Sequence, residues 1–154
     1  MRKMYFGILI LVVFIVGACI FLNTSSFTNE YKISDKTFTI PQGFKVIDST
    51  NNSVNMENKD MMRLKLIKSD DEDLNYAVLN YKNVYDDYNI SIINGTLENI
   101  EIKKTVATKV GNDSTNLTIT KYWFDKNGTI YNIQSINGSE IIDKNAKEII
   151  DSIR

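Results

Sequence analysis

Residues 4–22 read MYFGILILVVFIVGACIFL and contain no charged side chain. As a helix this run spans about 28 Å at ~1.5 Å per residue, close to the ~30 Å hydrocarbon core of a bilayer. Arg2 and Lys3 precede it, and no Lys or Arg follows before Lys32. Positive charge stays on the cytoplasmic side of a span, so the rest of the chain is expected outside the membrane. The expected organisation is a cytoplasmic stub (1–3), a transmembrane signal-anchor (4–22), a polar linker (23–36) and an extracytoplasmic α+β domain (37–154) on the cell membrane.

Two other readings of the apolar run stay open. It can be a secretory signal peptide cut after a small-residue site, although it is longer than the ~7–15 residues of a signal h-region. Alternatively, Val16-Gly17-Ala18-Cys19 resembles a lipoprotein cleavage box, with Cys19 becoming the lipidated N-terminus. Against this, Ile20-Phe21-Leu22 continues the apolar run past the cysteine. The anchor and lipoprotein readings both leave the domain tethered.

The part beyond the anchor makes one domain of ordinary size, able to bury a core without a staple. Cys19 is the only cysteine, so no intramolecular disulfide forms. There is no histidine, which removes the commonest general base near neutral pH, the commonest zinc ligand and every His-dependent triad. Charge is nearly balanced, at 18 Lys plus Arg against 19 Asp plus Glu, and no basic stripe supports nucleic-acid binding. Asn-X-Ser/Thr occurs at Asn23, Asn51, Asn89, Asn94, Asn112, Asn116, Asn127 and Asn137. These are candidate glycosylation acceptors where the host has the machinery, and several also sit where turns are expected.

Alternation at 37–41 predicts a strand ended by Pro41, the only proline, with Pro41-Gln42-Gly43 turning into a strand from Phe44. Further strands are expected at 53–57 and 61–67, where Met62, Leu64 and Leu66 share a face opposite Arg63 and Lys65. Ser69 and Glu72 are spaced as a capping box for a helix from about Asp70 to Tyr85 or Tyr88, with Leu74, Ala77, Val78, Tyr81, Val84, Tyr85 and Tyr88 at helical spacing. Ile90 to Ile93 reads as a brief strand stopped by Asn94-Gly95. Strands over 100–110 and 117–124 follow, separated by a turn at Gly111 to Ser114. Asn127-Gly128 predicts a hairpin joining Trp123-Phe124 to Ile130-Tyr131. Asn137-Gly138-Ser139 is expected to cap a final helix, with Ile142, Ala146, Ile149, Ile150 and Ile153 as its apolar stripe.

The order strands, helix, strands, helix implies an antiparallel β-sheet packed with two helices, an α+β fold. Phe38-Thr39-Ile40-Pro41-Gln42-Gly43-Phe44 resembles the F-x-x-P-x-G-aromatic opening of the Mog1/PsbP-like superfamily, with Phe44 where tryptophan is frequent. Gly128-Thr129-Ile130-Tyr131-Asn132-Ile133 and the helix after it are similar too. The resemblance implies an antiparallel sheet flanked by helices, often in lipoproteins or membrane-attached domains. It carries over no catalytic residues, and a fold supplies no function by itself.

Asp70, Asp71, Glu72 and Asp73 can bind a hard cation or serve as an acidic helix cap, and the capping box already accounts for them. Asp86-Asp87 lies at the far end of the helix. Asp125-Lys126-Asn127-Gly128 starts like a calcium loop, but Ile130 and Ile136 stand where a Gly and a Glu are needed. Tyr76, Tyr81, Tyr85 and Tyr88 can form an aromatic platform or pack on the sheet, with Tyr76 off the main stripe. No S-x-x-K or nucleophile-elbow pattern marks a catalytic dyad. No catalytic, cofactor or metal residue is assigned. The expected function is a non-enzymatic, single-pass, membrane-anchored interaction module with a protein or envelope partner. The alternatives are a small-molecule or ion-binding sensor using the cleft between sheet and first helix, or a lipoprotein held through Cys19.

Overall fold

A computed structural model describes residues 29–111 and 115–154. The anchor at 4–22 with Cys19, the sequons at Asn23 and Asn112, and the turn through 112–114 lie outside the described residues. No helix among the described residues is long and apolar enough to cross a membrane.

The chain runs β1 (Glu30–Ile33), β2 (Lys36–Thr39), β3 (Phe44–Ser49), β4 (Ser53–Asn58), β5 (Arg63–Lys68), α1 (Leu74–Val84), β6 (Asn89–Leu97), β7 (Ile100–Val110), β8 (Asn116–Asp125), β9 (Ile130–Ile136) and α2 (Ser139–Ser152). β1 and β2 form a separate hairpin. The other strands make one seven-stranded sheet in the order β3-β4-β5-β9-β8-β7-β6, antiparallel at every pairing. The α+β class is as expected.

Because successive strand residues point to opposite faces, the sheet carries two cores. On one face Val54, Met56, Leu64, Leu66, Ile102, Phe124, Tyr131 and Ile133 meet Ile142, Ala146, Ile149 and Ile150 of α2, with Ile33 and Phe38 of the hairpin closing the end. The opposite face carries a smaller core, in which Leu74, Ala77, Val78 and Tyr81 of α1 sit on Ala107, Ile119, Trp123 and Ile130. The helices therefore take opposite sides of the sheet. Polar links fasten α2: Lys104 and the Tyr122 hydroxyl both reach Asp143, at 2.7 and 2.8 Å, and Lys126 donates to the Ile150 carbonyl at the helix C-terminus.

Four expectations need correction. The linker expected over 23–36 contains β1, whose Ile33 is fully buried, and β2 begins at Lys36. The first helix is not capped by Ser69. That hydroxyl bonds Asp71, the Ser69 amide donates to the Ile130 carbonyl, and Asp73 is the N-cap, accepting from the Tyr76 amide at 2.9 Å. Asn94-Gly95 is not a turn, because both residues pair within β6, with Lys103 and Ile102. The chain reverses at Glu98-Asn99, both at positive φ (47° and 70°), the signature of a two-residue type I′ hairpin. Finally, Val84 does not join the buried stripe of α1 but is 75% exposed. The Asn137-Gly138-Ser139 segment ends the sheet and caps α2 as expected, with Gly138 as the N-cap and the Asn137 side chain accepting from the Thr118 amide.

The Asn127-Gly128 hairpin is as expected. Both residues have positive φ (56° and 77°), and Asp125 Oδ1 accepts from the Gly128 amide. The turn at Gly43 likewise forms, with φ at 86° and the Phe44 amide bonded to the Pro41 carbonyl.

Candidate functional site

Local structure occupies four of the acidic residues singled out from the sequence, Asp71, Asp73, Asp87 and Asp125. Asp73 caps α1, Asp71 accepts from Ser69 and from Asn80 Nδ2, and Asp87 pairs with Lys109. Asp125 closes its hairpin. No group of His, Cys, Asp and Glu among the described residues is placed to hold a metal.

The tyrosines divide as their spacing suggests. Tyr81 is buried, Tyr85 and Tyr88 continue an aromatic chain from it with ring centroids 4.7 and 5.2 Å apart, and Tyr76 is 57% exposed. Trp123 extends the chain inward, its ring 5.5 Å from Tyr81 and its indole N–H held by Thr105 Oγ1 at 3.0 Å. The cleft expected between sheet and first helix is filled here by Tyr81 and Trp123. A shallow groove of about 410 Å³ remains at the rim, between Leu79 and Lys82 of α1 and Ile92 and Asn94 of β6.

Against this aromatic wall lies a residue the sequence reading passed over. Lys121 occupies β8 between Ile119 and Trp123, on the face that α1 covers, and is only 7% exposed. Its Nζ stands 4.2 Å from the Tyr81 ring centroid and 4.9 Å from that of Trp123. No carboxylate among the described residues pairs with it. Its cross-strand neighbours are Gln134 on β9 and Thr105 on β7, and beyond Gln134 comes Lys65 on β5. Burial, reinforced by the Lys65 charge, lowers the Lys121 pKa to about 8. Taking an ammonium out of water costs several kcal/mol, and cation–π contacts return about 0.5–2. The charge is therefore under-compensated. Its one sequence signal was a lysine two residues from apolar neighbours on both sides in a strand.

Nearby polar atoms are also short of partners. Tyr81 OH and Asn132 Oδ1 are buried without a hydrogen bond, and burial beside Tyr85 and Tyr88 pushes the Tyr81 phenol up. Beyond α1's reach the same face lies open over β4, β5 and β9. There Asn55, Arg63, Lys65, Gln134, Met61, Met62 and Ile136 line a groove of about 520 Å³.

The two edges of the sheet differ. β3 carries Lys45 and Asp48 and breaks register between Val46 and Asp48, a bulge of the kind that blunts an edge. β6, at the other edge, is nine residues long (NISIINGTL), with no charge and no proline. Ser91 through Thr96 are exposed, Ile93 at 57%.

Compared by sequence, the chain matches no family model and no curated protein. Solved structures do resemble it. A Bacteroides thetaiotaomicron VPI-5482 protein superposes with a TM-score of 0.50 at 13% identity, over 77% of this chain and 44% of that one. The likeness is one of fold. This chain thus spans less than half of that protein's length. LpqN, involved in cell envelope biogenesis of Mycobacterium tuberculosis, gives 0.44 at 9% identity, over 77% of this chain and 81% of its own. A protein of unknown function from Pseudomonas aeruginosa, PA94, gives 0.40 at 6%, over 76% and 87%.

Proposed function

We propose that the chain is a non-enzymatic interaction module, tethered through residues 4–22 to the outer side of the cell membrane. It offers β6 to an extended segment of an envelope protein, which adds a strand to the sheet. The tether rests on the apolar run and its basic flank, and the C-terminal domain then works outside the cell. The kinship we infer with the Mog1/PsbP-like superfamily rests on the Phe38 to Phe44 motif, which forms the β2-to-β3 turn, and on the β9–α2 junction.

One observation carries this reading: the sheet blunts its β3 edge and leaves β6 long, uncharged and paired on one side. Natural edges of this kind are charged, bulged or covered unless they serve for pairing. Ile92 adds apolar surface beside Leu79 on the α1 side, and Ile93 does so on the other face. Asn89 and Asn94 of β6 lie in sequons, so a glycan at either would close the edge; the proposal is for an unmodified β6.

The test is site-specific photo-crosslinking from Ser91 in the full-length chain in its native membrane, alone and with Ile92→Lys/Ile93→Lys. One adduct of defined mass, lost in the charged variant whose Tm is unchanged, supports the reading. An adduct with a second copy makes the edge a dimer contact and rejects the envelope partner. No adduct, or one indifferent to the lysines, rejects strand addition.

A further inference from the structure

We propose that Lys121 anchors a binding site for a small oxyanion, the carboxylate or phosphate group of a ligand that enters from the open groove over β4, β5 and β9. This goes beyond the interaction reading and does not depend on β6.

Lys121 is more than nine-tenths buried, and it makes no ion pair or hydrogen bond among the described residues. Its ammonium faces two aromatic rings on one side. On the other side the row continues to Gln134 and Lys65, with register pairs Lys121↔Gln134 and Lys65↔Gln134 placing all three on one face. Two lysines thus flank an amide with no acid between them. Gln134 and Lys65 also line the open groove with Arg63, whose own carboxylate, Glu57, pairs at 2.9 Å. Lys65 and Gln134 line the groove, and Lys121 is the next residue of the same cross-strand row.

No Asp or Glu among the described residues supplies the counter-charge. Residues 1–28 contain no Asp or Glu, and Asp113 is the one acid outside the described residues. An anion from solution would supply both the charge and the acceptors that the aromatic rings do not. Protonated Lys121 would then bind it through a charge-assisted hydrogen bond, with the Gln134 amide as a second donor.

Trp123 is the only tryptophan, and its ring lies against Lys121, so its emission reports on this site. The experiment follows Trp123 emission of the full-length chain in detergent between pH 7 and 9.5, at constant ionic strength. Sodium phosphate is titrated in one arm and sodium acetate in the other. The midpoint is expected near 8 without added oxyanion and should move upward, saturably, in at least one arm, because the anion favours the ammonium form. The arm with the larger movement names the ligand's head group. Lys65→Gln should weaken the half-saturating concentration several-fold, and Lys121→Met should abolish the response. A midpoint unmoved in both arms, or the same movement in Lys121→Met, overturns the proposal. If Lys121→Met fails to fold, the Lys65→Gln series decides: unchanged half-saturation rejects the site.

Discussion

At Lys121 the sheet holds an ammonium between two rings and a second lysine, and its titration works against the usual sense for a paired lysine. Its folded pKa, about 8, lies below the ordinary 10.5, so between those values the unfolded chain binds more protons. Stability should therefore rise as pH increases from 8 towards 10.5, by at most roughly 3 kcal/mol from this group. Lys65 on β5 and Tyr81 on α1 face the same group. The Tyr81 shift opposes the gain only above pH 10, where the unfolded phenol ionises. Denaturant midpoints of wild type and Lys121→Met across pH 7 to 9.5 should thus differ most at pH 7, with the variant the more stable, and converge on raising the pH. Gly138 gives a second residue-level outcome. A Cβ there would stand 2.5 Å from Ser135 Oγ and 3.2 Å from Met62 Cε. Gly138→Ala should cost about 1–3 kcal/mol in equilibrium unfolding. Neither role was legible in the sequence: alternation puts Lys121 beside Ile119 and Trp123, but only the placement of α1 decides that this face is covered.

Among the elements, the strands and helices with strong local patterns were readable. β5 shows its Leu64/Leu66 stripe, α2 its isoleucine stripe, and the Asn127-Gly128 hairpin its turn chemistry. Boundaries failed where two local signals compete. Ser69 has the spacing of a capping residue, yet its amide is used by the end of the strand and its hydroxyl by Asp71, which passes the cap to Asp73. Asp73→Ala should therefore cost about 1 kcal/mol of stability, whereas Ser69→Ala should cost clearly less. Chemical denaturation of the two variants separates them, and equal losses would restore the capping box. Asn94-Gly95 was misleading for a similar reason. β6 and β7 pair in one unbroken register from Asn89 to Leu97, which carries Asn94 and Gly95 inside the strand. The actual turn, Glu98-Asn99, has only Asn99 as a local hint of left-handed backbone.

For the whole molecule, order along the chain gave the α+β class, but not which face each helix covers or which edge stays free. Those depend on pairings far apart in sequence, such as β5 with β9. The tether makes a separate prediction. Protease added to intact cells should digest the described domain and spare the segment from Arg2 into the apolar run, and a domain protected in intact cells would contradict the outward topology. The central claim is that β6 is a working edge, and backbone hydrogen exchange tests it most directly. In the full-length chain, exchange at Asn89–Leu97 should be markedly slower in native membranes than after purification in detergent, with β3 unchanged. Equal exchange in both settings, or the same slowing in Ile92→Lys/Ile93→Lys, would contradict it.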